Sequence, residues 1–215
     1  MLQTLILIPT EMEAALLQPA LKSVLEKGDA VAKICGFGPI ASGIRTAQLI
    51  AELKPRSCLL LGIAGTFTND LAIGSAHVFT NMTCFGIGAG SGSSFVNASQ
   101  LEWQQWPEPI ESLSKGDVLD ILISVSTIRE LQLLTVCAIS ACEIDVEQRL
   151  KLFPNAAAED MEGFAVGLAC HSANVPLTVI RGISNRAGDR DKSNWQVKFA
   201  LESAGKLAAA IFGAK

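Results

Sequence analysis

Three carboxylates stand within four residues at Glu159-Asp160-Met161-Glu162, with an apolar run on either side. Acids in such company have two uses. Asp160 can cap the following helix, with Glu162 in its first turn. Alternatively, one face of the junction points into a cleft, where a carboxylate can grip a sugar hydroxyl. Glu11 and Glu13 follow the first apolar run in the same manner. A carboxylate in a first helical turn is favoured by the helix dipole by a few tenths of a kcal/mol. The same group, just past a strand end, can also serve a site there. A third place is Arg181-Gly-Ile-Ser184-Asn185, directly after another apolar run. Asn185 suits a turn, and it also offers a fixed donor and acceptor to the edge of a heterocycle.

The fourth place, Gly36-Phe-Gly38-Pro39-Ile-Ala41, has the outline of a G-x-G-x-x-A dinucleotide fingerprint. Pro39 removes one donor, however, and no acidic residue ends the next strand, Cys58-Leu-Leu-Leu-Gly62. A tight turn lining a small-molecule site is the better reading. Other chemistries lack their residues. The two histidines, His77 and His171, have no cysteine or carboxylate at metal-ligand spacing, so no metal site is expected. No G-x-S-x-G elbow supports a serine triad. The six cysteines lack C-x-x-C spacing and sit in apolar runs, which reads as buried thiols in a reducing compartment.

Elements must bring these places together. The spacing predicts strands at Leu5–Ile8, Val31–Cys35 and Ser57–Leu61, the last stopped by Gly62-Ile-Ala-Gly65. Further strands are expected near His77–Thr80, Met82–Ile87, Val118–Val125, Leu133–Ile139, Ala156–Asp160 and Pro176–Arg181. Helices are expected over Glu11–Leu25, from Pro39 to about Leu53, around Val146–Phe153, over Met161–Ser172, and from an N-cap at Ser193 to about Phe212. Gly88–Gly116 reads as a long loop in which Phe95, Trp103 and Trp106 could cover a substrate or simply anchor the segment. Strands alternating with helices imply a largely parallel sheet covered on both faces. Polar residues that follow its strands then gather at the carboxyl ends, where ligands bind.

The chain has 215 residues, 49% of them hydrophobic and 18% charged, with a net charge of −4. Mean hydropathy is +0.37 and the isoelectric point about 5.2. This suits one α/β domain spanning residues 1–215, and it excludes a disordered chain. The acidic balance does not suggest a nucleic-acid partner. No apolar run reaches the ~18–20 residues that cross a bilayer, and the apolar opening lacks a basic flank, so a cytoplasmic location is expected.

Ile-Pro-Thr-Glu-Met-Glu13-Ala-Ala, Gly-Ile-Ala64-Gly65, Asp160-Met-Glu162-Gly and Arg181-Gly-Ile-Ser184-Asn185 together resemble the nucleoside phosphorylase and nucleosidase superfamily. Within it, Asp160-Met-Glu-Gly-Phe-Ala-Val and the run from Arg181 to Trp195 are most similar to the futalosine hydrolases of the alternative menaquinone pathway. The resemblance covers nearly the whole chain and is weakest between Gly90 and Leu133. It implies a three-layer α/β/α sandwich around a mixed, largely parallel sheet, with the active site near a subunit interface of a homo-oligomer and with no cofactor. It also implies roles. Glu13 would activate the water that attacks the anomeric carbon, Met161 would pack on the ribose, and Glu162 would accept its hydroxyls. Asn185 would meet the purine edge, with Ala64, Gly65 and Ser184 completing the substrate site. On this reading Glu11 and Glu159 are dispensable.

The chemistry is coherent. Cleaving an N-glycoside builds positive charge on the ribose, which carboxylates stabilise, and negative charge on the departing base, which a donor stabilises. The related methylthioadenosine/S-adenosylhomocysteine nucleosidases carry Asp at the position of Asn185. An amide cannot deliver a proton to N7 but can donate a hydrogen bond to a 6-oxopurine. That leans toward futalosine, giving hypoxanthine and dehypoxanthine futalosine. Phosphorylases of the superfamily set arginines around a phosphate; here the strand Cys58-Leu-Leu-Leu61 that enters Gly62 carries none where the hexameric phosphorylases have one, and Arg45 is expected to be solvated. The alternatives are an adenine-releasing nucleosidase, and a nucleoside-binding protein without turnover, which intact Glu13 and Glu162 disfavour.

Overall fold

A computed structural model describes residues 2–105, 118–120 and 130–212. β1 (Thr4–Ile8) leads through α1 (Glu11–Glu26) to β2 (Ala30–Ile34), and α2 (Pro39–Leu53) leads to the long β3 (Ser57–Thr66). β4 (Ala76–Phe79), β5 (Asn81–Cys84), the two-residue β6 (Gly88–Ala89) and β7 (Val96–Asn97), and β8 (Val118–Asp120) follow. The second half runs β9 (Gln132–Thr135), α3 (Glu143–Leu152), β10 (Ala156–Asp160), α4 (Gly163–Ser172), β11 (Leu177–Arg186) and α5 (Val197–Phe212).

Alternation in the first strand decides the layers. Leu5 and Leu7 face one side, with Cys58 and Leu60 of β3, and meet Leu49 and Ile50 of α2 and Phe164 and Val166 of α4. Ile6 and Ile8 face the other, with Leu59 and Leu61, and meet Leu17 and Leu21 of α1 and Leu201 and Ala204 of α5. Strands buried on both faces read as unbroken apolar runs, as these do. The result is the expected three-layer α/β/α sandwich. Its sheet is mixed: β1 pairs in parallel with β2 and β3, β3 with β11, and β9 with β10 and β5. The antiparallel contacts are β10 with β3, β4 with β11, and β5 with β8.

β3 is the branching strand. Ser57–Leu60 pair with β1, residues 65 and 66 pair with β10, and β11 runs along the whole length. Gly62-Ile-Ala-Gly65 therefore does not stop the strand as expected, because β11 supplies its hydrogen bonds. For the same reason β11 continues past Arg181 to Arg186, and Asn185 is a strand residue rather than a loop residue. Strand β9 is shorter than expected, ending at Thr135. Ser193 does not cap α5. It lies in a 3-10 turn at Lys192–Asn194, where Asp191 accepts its N–H at 3.0 Å and its hydroxyl at 2.7 Å.

The expectation of buried thiols holds for Cys35, Cys58, Cys84 and Cys170 but not for Cys137 and Cys142, which are exposed on the turn before α3. In the glycine-rich segment, β6 and β7 form a two-stranded ribbon and Phe95 stacks on Phe85 at 5.0 Å. Trp103 is exposed, while Trp106 and residues 107–116 lie outside the described residues. Among the described residues no helix is long and apolar enough to cross a membrane.

Candidate active site

The carboxyl ends of β1, β3, β10 and β11 open into one cleft. Glu13, Ala64, Gly65, Met161, Glu162, Ser184 and Asn185 all line it, so the seven residues singled out from the sequence share one site. Pro9, Thr10, Met12, Phe37, Ile63, Ile139, Glu159, Asp160 and Trp195 complete the lining. Trp195 stacks against the exposed Arg190. None of the described residues 88–105 reaches the cleft.

Glu13 is placed by its helix start. Thr10-x-x-Glu13 has capping-box spacing, and the Thr10 hydroxyl accepts the Glu13 N–H at 3.3 Å. The Glu13 carboxylate, however, is drawn into the cleft instead of closing the box. Its Oε2 accepts the Thr10 hydroxyl at 2.6 Å, and its Oε1 accepts the Ile63 N–H of β3 at 3.2 Å. Glu13 is buried while Glu11, two residues earlier, is exposed.

Asp160 and Glu162 divide the two roles that their positions left open. Asp160 is spent on structure. Its Oδ2 caps α4 through the Gly163 N–H at 2.8 Å, and its Oδ1 accepts the Thr135 hydroxyl at 2.7 Å. Thr135 in turn accepts the Phe164 N–H at 2.8 Å, so α4 starts at Gly163, later than expected. Glu162 is thereby free to face the cleft. Its Oε1 takes the Gly38 N–H at 3.1 Å, so the Gly36–Gly38 turn serves this carboxylate and not a dinucleotide. Gly38 has φ +82°, a conformation that favours glycine.

Sequence reasoning missed the cation beneath them. Arg181 is fully buried, and its Nη2 pairs with Asp160 and, at 3.2 Å, with Glu162. Among the described residues its Nε and Nη1 have no hydrogen-bond partner. A Cβ on Gly62 would fall 2.1 Å from Arg181 Nη1 and 3.0 Å from Glu13 Oε1, so guanidinium and carboxylate converge where Gly62 leaves room. Burial opposes the Arg181 charge, yet Asp160, Glu162 and Glu13 together raise its pKa. Burial also pushes the Glu162 carboxyl up to about 7, with Arg181 opposing and Asp160 and Glu13 adding to the rise. The neighbouring Cys35 thiol is pushed up to about 12, again by burial, which makes it an inert core group.

Asn185 is oriented by its neighbours. Its Nδ2 donates to the Arg186 carbonyl at 2.8 Å and its Oδ1 accepts the Ser184 hydroxyl at 2.7 Å. Reversing the amide would set two acceptors against each other at Arg186. One N–H and one lone pair of the amide remain for a ligand.

Glu159, expected to be dispensable for turnover, is a buried ion-pair partner of Arg149 on α3, and it also binds Ser140. Burial raises its carboxyl while Arg149 and Ser140 pull the other way. Only the adjacency of an acid to an alanine-rich strand hinted at this. Arg45, by contrast, is exposed as anticipated and bonds Gln48 at 3.3 Å. Among the described residues no group of three or more His, Cys, Asp or Glu could hold a metal ion.

A family model described as Phosphorylase superfamily matches residues 19–214. A 5'-methylthioadenosine/S-adenosylhomocysteine nucleosidase from Shewanella baltica is 30% identical over 192 residues, covering 82% of this chain and 76% of that protein. Among solved structures, the corresponding nucleosidase of Colwellia psychrerythraea in complex with adenine superposes with a TM-score of 0.72 at 22% identity, over 99% of this chain and 95% of that one. The futalosine hydrolase of Helicobacter pylori superposes with a TM-score of 0.68 at 18% identity, over 99% and 96%.

Proposed function

This chain belongs to the phosphorylase superfamily, and from that premise we propose that it hydrolyses the N-glycosidic bond of a purine nucleoside, with futalosine as substrate and hypoxanthine as the base released. One observation carries the choice of hydrolysis: among the described residues no lysine or arginine side chain lines the cleft. The nearest guanidinium, Arg181, is buried and committed to Asp160 and Glu162. A phosphate dianion would face Glu13 and Glu162 with no cation among the described lining residues to receive it. Water meets no such repulsion.

In this reading Glu13, fixed by Thr10 and Ile63, takes the proton of the attacking water. Glu162 accepts the ribose hydroxyls and, with Glu13, stabilises the positive charge that grows on the sugar. Met161 packs beside them. The spare Asn185 N–H donates to N7 or O6 of the departing base. Ala64, Gly65 and Ser184 shape the floor, with the Ser184 hydroxyl locking the amide. The exposed apolar residues Met12 and Phe37 at the cleft mouth, with Ile40 and Ile44 beside them on α2, support a homo-oligomer in which a second copy covers this rim. Light scattering of the purified protein tests that, and a monomer at micromolar concentration would reject it.

A second reading has a specific observation behind it. The Shewanella baltica relative is named for methylthioadenosine and S-adenosylhomocysteine, and the Colwellia structure holds adenine. Asn185 separates the two, because an amide cannot protonate N7. The deciding experiment offers futalosine and methylthioadenosine together at equal concentration and measures the bases released. Hypoxanthine in excess supports the first reading, and adenine in excess replaces it with the second.

A further inference from the structure

The proposed chemistry leaves one cleft wall unused. Glu159 of β10 and Asn185 of β11 both pair with Gly65 of β3, from opposite edges. Their backbones are therefore two strand spacings apart, roughly 10 Å, and Gly65 between them carries no side chain. An amide and a carboxylate thus flank this stretch of the cleft lining, with the Asn185 Nδ2 lying 3.4 Å from where a Gly65 Cβ would be.

The carboxylate is held with unusual completeness. Glu159 Oε1 accepts the Ser140 N–H at 2.9 Å, and Oε2 accepts the Ser140 hydroxyl at 2.8 Å together with Arg149 Nη1. Arg149 Nη2 also binds the Ala138 carbonyl, tying the 138–141 turn to the same pair. All these neighbours donate to the carboxyl group, and these donors with the Arg149 charge favour its ionised form against the opposing effect of burial. Oε1 has one partner and keeps a lone pair. The Ser140 N–H, next to the cleft-lining Ile139, is consumed by Glu159. This wall consequently offers an acceptor where it could have offered a donor.

The two candidate bases differ at the matching place. A 6-oxopurine presents an N1–H donor beside its O6, whereas adenine presents an N1 lone pair beside its amino group. We infer that Glu159 is a specificity-determining residue that accepts the N1–H of a 6-oxopurine and repels the N1 of adenine, with Arg149 and Ser140 as positioning residues. The inference rests on the nucleosidase reading above and deepens it: the base is selected at two edges, by Asn185 and by Glu159.

The test uses 5'-methylthioinosine and 5'-methylthioadenosine, which differ only in the base, with the native protein, Glu159→Gln, and the double variant Glu159→Gln/Arg149→Met. In the double variant no buried guanidinium is left without its anion. A glutamine keeps its oxygen on the Ser140 N–H, but it carries no negative charge to repel N1 of adenine and accepts N1–H less strongly than a carboxylate does. The kcat/KM ratio should therefore move toward the adenine substrate by about 10-fold or more in both variants, mainly through KM. An unchanged ratio with both substrates slowed equally would reduce Glu159 to a support for the turn and overturn the inference. A measurement on the native protein needs no variant: calorimetric binding of hypoxanthine against 1-methylhypoxanthine, which lacks the N1–H. The methylated base should bind at least about 10-fold more weakly, and equal affinity would overturn the inference. Failure of the native protein to cleave either nucleoside would defeat the nucleosidase reading alone, because base binding still reports on Glu159.

Discussion

Glu162 and Gly38, 124 residues apart in the chain, are joined by a hydrogen bond of 3.1 Å. With Arg181 on its other oxygen, the Glu162 carboxylate is held at both ends and still has lone pairs to spare for a sugar diol. Two carboxylates and one guanidinium are closed into a site by a backbone N–H of the Gly36–Gly38 turn, which has only the outline of a dinucleotide fingerprint.

The raised pKa of Glu162 gives activity and stability opposite dependences on pH. Accepting ribose hydroxyls requires the ionised form, and with a pKa of about 7 that form falls tenfold per unit on the acid side. The profile of kcat/KM should show an acid limb near pH 7, and Glu162→Gln should abolish that limb along with most of the activity. Stability runs the other way. The folded pKa lies above the usual 4.5, so as pH rises from 4.5 to about 7 the unfolded chain ionises first and folding free energy is lost. Glu162→Gln should accordingly raise the thermal midpoint at pH 8. A flat activity profile from about pH 5.5 to 8 would contradict the assignment.

Arg181→Met should damage both fold and site. It strands Asp160 and Glu162 as buried charges without their cation, and breaking a buried pair from one side costs about 3–5 kcal/mol. The measurement is chemical denaturation at pH 8 and again at pH 5.5. The loss should be smaller at pH 5.5, where Glu162 is protonated. Equal losses at both values would detach Glu162 from Arg181.

Two glycines of β3 should respond differently to one methyl group. In Gly62→Ala the new Cβ falls 2.1 Å from Arg181 Nη1, and that guanidinium cannot swing away because Asp160 and Glu162 hold its far side. Activity should drop by about 10²-fold or more, the range for a lost electrostatic group, with a lower thermal midpoint. In Gly65→Ala the nearest atom, Asn185 Nδ2, is 3.4 Å away, an ordinary contact. Its midpoint should barely move while KM rises, since the methyl occupies the cleft floor. Similar behaviour of the two variants would refute this geometry.

Asn185→Asp separates base choice from general damage. An ionised carboxylate facing O6 of hypoxanthine is repelled, whereas facing adenine a carboxyl can accept from the amino group and deliver a proton. A misplaced buried hydrogen bond is worth roughly 1–3 kcal/mol, so the ratio of the rates on 6-oxopurine and adenine substrates should fall about 10- to 100-fold. An unchanged ratio would remove Asn185 from base recognition.

Much of this was legible in the residues. Leu5-Ile-Leu-Ile8 alternates between two layers as a buried strand must, and the rule that ligands sit beyond strand ends brought Glu13, Glu162 and Asn185 to one place before any coordinates. The extent of β3 and β11 was not legible. Gly62–Gly65 and Gly182–Asn185 look like stop signals, but each segment pairs with the other, so tertiary pairing overrides local punctuation. The two buried arginines were hidden for a similar reason. Arg181 finds Asp160 from 21 positions away and Arg149 finds Glu159 from 10, spacings that follow no helical or strand period. Ser193 misled because Asp191, two residues earlier, caps a different turn.

The central claim is that water, activated at Glu13, is the nucleophile. Turnover of futalosine in water enriched in oxygen-18, in the presence and absence of added phosphate, tests it most directly. The account predicts one labelled oxygen in the hydroxyl at the anomeric carbon of the released sugar, at a rate indifferent to phosphate, with Glu13→Gln slowed about 10²-fold or more. A sugar 1-phosphate that carries no label and forms only when phosphate is present would contradict it.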